Sequence, residues 1–110
     1  MLKHTLETIE NKIKNAPSIP EASKSEYLEL LHTLNTEINE LQKSQKEKAQ
    51  SIKGFTKISS HEITRDEIDP GLIRISIEGL SSSVKEFEAS HPKLVQTVNA
   101  ICDFLSKIGI

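Results

Sequence analysis

The sequence holds no tryptophan, one tyrosine, three phenylalanines and a single cysteine. A core built from it must be aliphatic, and 11 leucines and 14 isoleucines are the material at hand. One cysteine excludes an intrachain disulfide and fits a reducing compartment. No apolar run reaches the ~18 residues of a membrane span, and the opening "MLKHTLETIENKIK" lacks the apolar stretch of a signal peptide. An excess of one charge is missing too. Residues 1–54 carry eight basic and eight acidic side chains, and residues 55–110 carry six against eight. Nothing here makes the concentrated basic surface that nucleic acid demands, or a polybasic membrane anchor. Glycine is scattered over four positions and forms no phosphate loop. These absences lead to the expectation of a cytoplasmic protein of one structural unit, without nucleic-acid or membrane partners.

What is present is a seven-residue rhythm of hydrophobicity. Leu2, Leu6, Ile9 and Ile13 are spaced four, three, four, which places them on one stripe of a helix. Pro17 ends that helix, because proline disfavours helical geometry in the residue before it. Ser18-Ile19-Pro20-Glu21 reads as a capping box opening a second helix, with Ser23-Lys24-Ser25-Glu26 as a later candidate. Its stripe is Tyr27, Leu31, Leu34, Ile38 and Leu41, after which polar helix formers run to Gly54. The spacing predicts a helical hairpin over residues 1–54. Residues 55–69 show no clean period and are expected to form a loop.

Asp69-Pro70-Gly71 reads as the cap and first turn of another helix. "IRISI" alternates as a strand would. The longer series Ile73, Ile77, Leu80, Val84 and Phe87 keeps helical spacing and favours helix. A last stripe holds Leu94, Val98, Ile101, Leu105 and Ile108. Set end to end with His91 between them, these stripes never lose phase. That continuity favours one long helix over residues 70–110, kinked at Ser90, His91 and Pro92. Proline inside a helix costs ~3 kcal/mol, so a tight turn there, making a helix pair, is the alternative. The expected fold is all-α, an amphipathic and coiled-coil-like bundle of three helices with a kink at Ser90–Pro92, or of four if the chain turns.

The run Phe87-Glu88-Ala89-Ser90-His91-Pro92, followed by Leu94, Asn99, Ile101, Leu105 and the closing Gly109-Ile110, resembles a small bacterial family catalogued only as a domain of unknown function. The likeness is specific over about 25 residues at this end. It extends loosely to the first two helices, including the Pro20-Glu21 start. It implies a small helical protein and supplies no activity, cofactor or catalytic residue.

The chemistry-bearing residues read blandly. His4, His32, His61 and His91 show no metal-ligand spacing with one another, and His91 lies eleven residues from Cys102. Cys102 beside Asp103 has no evident base and reads as a small core thiol. Carboxylate pairs such as Glu86 and Glu88 fall on solvated stretches and suggest no acid–base couple. Ser76, Gly79 and Ser83 form a ridge of small residues that could admit a close helix neighbour. No catalytic, cofactor or metal residue is expected.

The expected function is a non-catalytic module for protein–protein contact or self-assembly. The alternative is a ligand-binding protein or enzyme with a pocket between helices, for which the stripes offer only Tyr27 and His91 as inward polar groups. A long kinked helix of ~58 Å would leave Leu94, Val98, Ile101, Leu105 and Ile108 uncovered. Those residues are therefore the expected interface of a homodimer or small homo-oligomer.

Overall fold

Helix α1 spans Lys3–Lys14, α2 Glu21–Gln42, α3 Lys46–Ile63, α4 Pro70–Val84 and α5 Pro92–Gly109, with one 3-10 turn, Lys85–Phe87, between α4 and α5. These bounds come from a computed structural model that describes residues 3–109, and the side chains of 6–108. Leu2, Ile110 and the side chain of His4, all quoted above, lie outside what is described.

Helices α2 to α5 form a four-helix bundle running up, down, up and down. Pairs of distant residues fix the directions. The Tyr27 hydroxyl meets Ser60 Oγ at 2.9 Å, tying α2 to α3. Lys48 pairs with Glu86, tying the start of α3 to the 3-10 turn that follows α4. The Cys102 thiol points at the Ile77 carbonyl at 3.9 Å, tying α4 to α5. Tyr27 stacks on Phe104, with ring centroids 4.8 Å apart, and this closes the ring between α5 and α2. Helix α1 lies against α2 and α3. Its last turn is anchored where the Lys24 ammonium donates to the Lys14 carbonyl at 2.8 Å. Farther back along α1, His32 Nε2 reaches Glu10 Oε1 at 2.7 Å.

The aliphatic stripes fill the interior as expected of them. Leu6, Ile9 and Ile13, then Tyr27, Leu31, Leu34, Ile38 and Leu41, are all buried. Asp69 caps α4 in the expected way, its Oδ1 accepting from the Gly71 and Leu72 amides at 2.9 and 3.3 Å. The helical reading of "IRISI" holds as well.

Three expectations fail, each for a physical reason. First, the long kinked helix is absent. The chain turns at residues 88–91, Pro92 occupies the first position of α5, and α4 and α5 pack side by side. The longest extent of the molecule is 38 Å, too short for such a helix. Second, the described chain has five α-helices, not three or four. Helix α2 stops at Gln42, and Lys43, Ser44 and Gln45 make a tight reversal closed by the Gln45 amide on the Leu41 carbonyl at 2.8 Å. Third, most of the expected loop at 55–69 is the second half of α3. Its inward face is small and hydroxylated, with Thr56, Ser59 and Ser60 buried beside Ala49, Ile52 and Ile63. Thr56 donates to the Ile52 carbonyl at 2.8 Å and Ser59 to the Phe55 carbonyl at 2.9 Å, so these hydroxyls enter the core already paired. The capping box is also corrected. Ser18 donates instead to the Ile63 carbonyl at 2.7 Å, sealing the C-terminus of α3, and α2 begins without a side-chain cap.

The small-residue ridge on α4 has a clear use. Gly79 lies under the Phe55 ring so closely that an added Cβ would overlap ring carbons. Gly79→Ala should displace the ring and cost about 1–2 kcal/mol despite alanine's better helix propensity. Urea unfolding measures it, and Phe55→Ala in the same chain should cancel most of the loss. A stabilised Gly79→Ala would show that the ring is not seated there.

Candidate interaction face

The residues singled out from the sequence separate in the structure. Leu94, Val98, Ile101 and Leu105 are fully buried, and Ile108 is half-buried against the core. The other helices of the same chain cover this stripe, so it is not a seam between copies, and the argument that made it an interface falls with the long helix. Ser90, His91 and Pro92 form a surface turn. The His91 amide donates to the Phe87 carbonyl at 2.8 Å, and its ring sits edge-on to Phe87 at 5.5 Å. Ser90 Oγ lies 3.0 Å from His91 Nδ1. These contacts hold the turn over Phe87.

The other chemical candidates remain apart. Among the described residues no three His, Cys, Asp or Glu side chains converge as metal ligands would. Burial, with Asp103 adding to it, pushes the Cys102 thiol up to about 11, so it is a poor nucleophile near neutral pH. A shallow cavity of about 280 Å³ gathers Lys12, His61 and Arg65. It sits on the C-terminal ends of α1 and α3, where cations complement the helix dipoles. Lys12 Nζ lies 3.4 Å from His61 Nδ1 within it.

One surface stands out by its exposed apolar side chains. Ile75 is 65% exposed, Ile58 51% and Leu72 42%, the large apolar side chains left most open. They share one side of the α3–α4 pair. Leu72, Ile75, Gly79 and Ser82 are three or four residues apart on α4, as are Ser51, Phe55 and Ile58 on α3. The Phe55–Gly79 contact and the antiparallel run of the helices set Ile58 level with Ile75. Toward the other end lies an open groove of about 320 Å³ between Ser51 and Phe55 on α3 and Gly79, Ser82 and Ser83 on α4.

The groove end of this strip carries an ion pair internal to the chain. At the groove end Lys48 pairs with Glu86, and its ammonium lies 6.0 Å from the Phe87 ring centroid. Past the end of α3, Arg65 Nε approaches the nearly buried Glu62 Oε1 at 2.7 Å, off the line of a hydrogen bond, and Arg65 lines the cavity beside Lys12. The sequence hid this face because its apolar residues fall off the main stripes. Ile75 and Leu72 straddle the Ile73 position, and Phe55 and Ile58 belong to the stretch read as loop.

Fold and site together define a small antiparallel helical bundle with exposed apolar side chains grouped on the α3–α4 side. The chain belongs to the family described as a domain of unknown function, DUF4404, whose pattern it matches over residues 2–110. No curated protein matches it, and no solved structure does. Among the described residues no helix is long and apolar enough to cross a membrane.

Proposed function

We propose that this protein is a non-catalytic interaction module that contacts its partner through the outer face of α3 and α4. The exposure of Ile75 beside Ile58 carries the reading. The inner stripes bury most other large aliphatic side chains, so side chains left in water at adjoining positions mark a contact surface. The short side chains of Ser51 and Ser82 beside them let a partner approach the helices closely. The cavities described beside Lys12, Ser23 and Lys48 are open to solvent, unlike the enclosed, largely apolar pocket of a small-molecule site.

The test is a photo-crosslinking side chain in place of Ser82, with the same group at the exposed Gln96 on α5 as control, in the living host. Ser82 should yield discrete adducts that Gln96 does not. Ile58→Glu combined with Ile75→Glu should abolish them while shifting the melting temperature by no more than a few degrees. Identical adduct patterns from both positions would overturn the reading.

A further inference from the structure

We infer that the flank of α3 next to α1 is a docking surface for an acidic helix of a partner protein. The inference goes beyond the contact-face reading and does not depend on it, because this flank adjoins α1 and not α4. Charge, open space and spacing support it.

Charge in this molecule is sorted by helix. Helix α2 carries five glutamates against one lysine, and α3 carries four lysines against two glutamates. The even balance of residues 1–54 hides this, since it adds the acids of α2 to the first bases of α3. Of the four lysines on α3, Lys48 is taken up by Glu86. The others, Lys46, Lys53 and Lys57, are seven and four residues apart and share one flank. One turn past Lys57, Lys12 Nζ of α1 lies 3.4 Å from His61 Nδ1 and adds a fourth ammonium to the row. Among the described residues none of these four lysines has a carboxylate within ion-pair distance. An unanswered row of one sign selects a partner of the other.

The row also has open space beside it. Gly54 lies between Lys53 and Lys57 in the chain, and a Cβ added to it would meet nothing within 4 Å. Glycine weakens the interior of a helix, and no contact inside the chain uses this one. It leaves bare backbone where another helix can lie close along α3.

Spacing names the partner's form. Lys53, Lys57 and the Lys12–His61 pair follow one another at about one helical turn, ~6 Å. Glutamates four residues apart on a second helix repeat at the same interval, so one carboxylate meets each ammonium. Nucleic acid fits this surface less well. The row holds no aromatic side chain on which a base could stack, and it spans only ~23 Å from Lys46 to His61. A long polyanion or an anionic bilayer would extend past α3 toward its neighbour α2, where the exposed Glu26, Glu29 and Glu40 repel it.

The test is a magnetic-resonance titration of the full, isotope-enriched chain with a synthetic helical peptide bearing glutamate at every fourth residue. The amide signals of Lys53, Gly54, Lys57 and His61 should move together. The same peptide with glutamine for glutamate should leave them in place. Lys53→Gln combined with Lys57→Gln should weaken the peptide about tenfold. Lys93→Gln combined with Lys107→Gln, at exposed positions on α5, should leave its affinity unchanged. Gly54→Leu gives a readout that charge alone would not. Leucine is the better helix former and has room there, so the melting temperature should rise while the peptide binds more weakly. Equal weakening by the α5 pair, undiminished affinity in the Gly54→Leu chain, or signal changes scattered away from α3 and α1 would each overturn the inference. So would a failure to bind the peptide at all, which makes the row a solvated face. Tighter binding of single-stranded RNA or of phosphatidylglycerol vesicles than of the peptide would overturn it as well, because the row would then serve phosphates. The crosslinking at Ser82 is unaffected by any of these results, so the contact face stands or falls separately.

Discussion

Replacing Ile101 by alanine should lower stability by about 3–4 kcal/mol, and replacing it by aspartate should prevent folding at any protein concentration. Ile101 is fully buried in the core of a single chain. Alanine there loses the transfer energy of three carbons and leaves a cavity that the surrounding helices can only partly collapse. A domain of this size holds roughly 5–15 kcal/mol in all, so alanine alone removes a large share. An unpaired carboxylate at the same place adds a burial cost that nothing nearby offsets. Circular dichroism melts at two protein concentrations check both. The alanine midpoint should fall by more than about 10 °C, equally at low and high concentration. An Ile101→Asp chain that is folded and monomeric would mean that the stripe lies on a surface after all, and the bundle topology would have to be redrawn.

The second large effect belongs to Tyr27, the point where three helices meet. Its ring stacks on Phe104 of α5 and its hydroxyl reaches Ser60 of α3. Tyr27→Ala should cost about 3–5 kcal/mol, whereas Tyr27→Phe removes one hydrogen bond, strands the Ser60 hydroxyl and should cost about 1–2 kcal/mol. The phenol also makes the fold sensitive to alkali. Burial holds its ionisation far above the ordinary 10.0, against the opposing Ser60 hydrogen bond and with a smaller push from Cys102. The folded chain thus keeps a proton that the unfolded chain releases above about pH 10. Stability should be unaffected by Tyr27 below that pH and fall by about 1.4 kcal/mol per pH unit above it. Cys102 acts in the same direction, from its ordinary 9.0 up to about 11. Urea midpoints for the parent and for Tyr27→Phe, at about pH 8 and about pH 11, separate the contributions. The parent should lose more than the variant. Equal losses would show that the phenol is not held neutral.

How much of this was legible in the sequence depended on which physical signal each segment carried. Leucine and isoleucine stripes announced α1, α2, α4 and α5, because a wide aliphatic face buried against neighbours is what hydropathy spacing measures. Asp69-Pro70 announced the start of α4 through cap chemistry. Helix α3 was illegible, since its buried face uses Ala49, Thr56, Ser59 and Ser60, whose hydroxyls satisfy themselves on the backbone or on Tyr27 and so pack as small apolar groups. The break after α2 was hidden for a different reason, as Lys43-Ser44-Gln45 contains neither proline nor glycine. The shared phase of the last two stripes misled outright. A turn of 3-10 geometry followed by a few residues can preserve the count of four and three while reversing the chain, and Pro92 at the first position of α5 suits that reversal. The contact face was out of reach of stripe counting, because it is formed only when α3 and α4 are side by side.

The connections themselves bear on how such a chain can drift. Among the described residues none, glycine included, has positive φ. Every reversal is made from right-handed or extended backbone, which any ordinary side chain can adopt. The glycines Gly54, Gly71 and Gly79 sit within helices instead; Gly79 is crowded by the Phe55 ring, a Cβ at Gly71 would come 3.2 Å from Asp69 Oδ1, and Gly54 faces open space. The link at 43–45 therefore imposes few demands on residue type, and substitutions there should be close to neutral, whereas Ile68 in the link at 64–68 packs against the core. Heritable constraint is concentrated on the helix faces, where a change of one methyl group is felt. Relatives of this chain are better aligned by the spacing of their buried positions than by the letters in their turns.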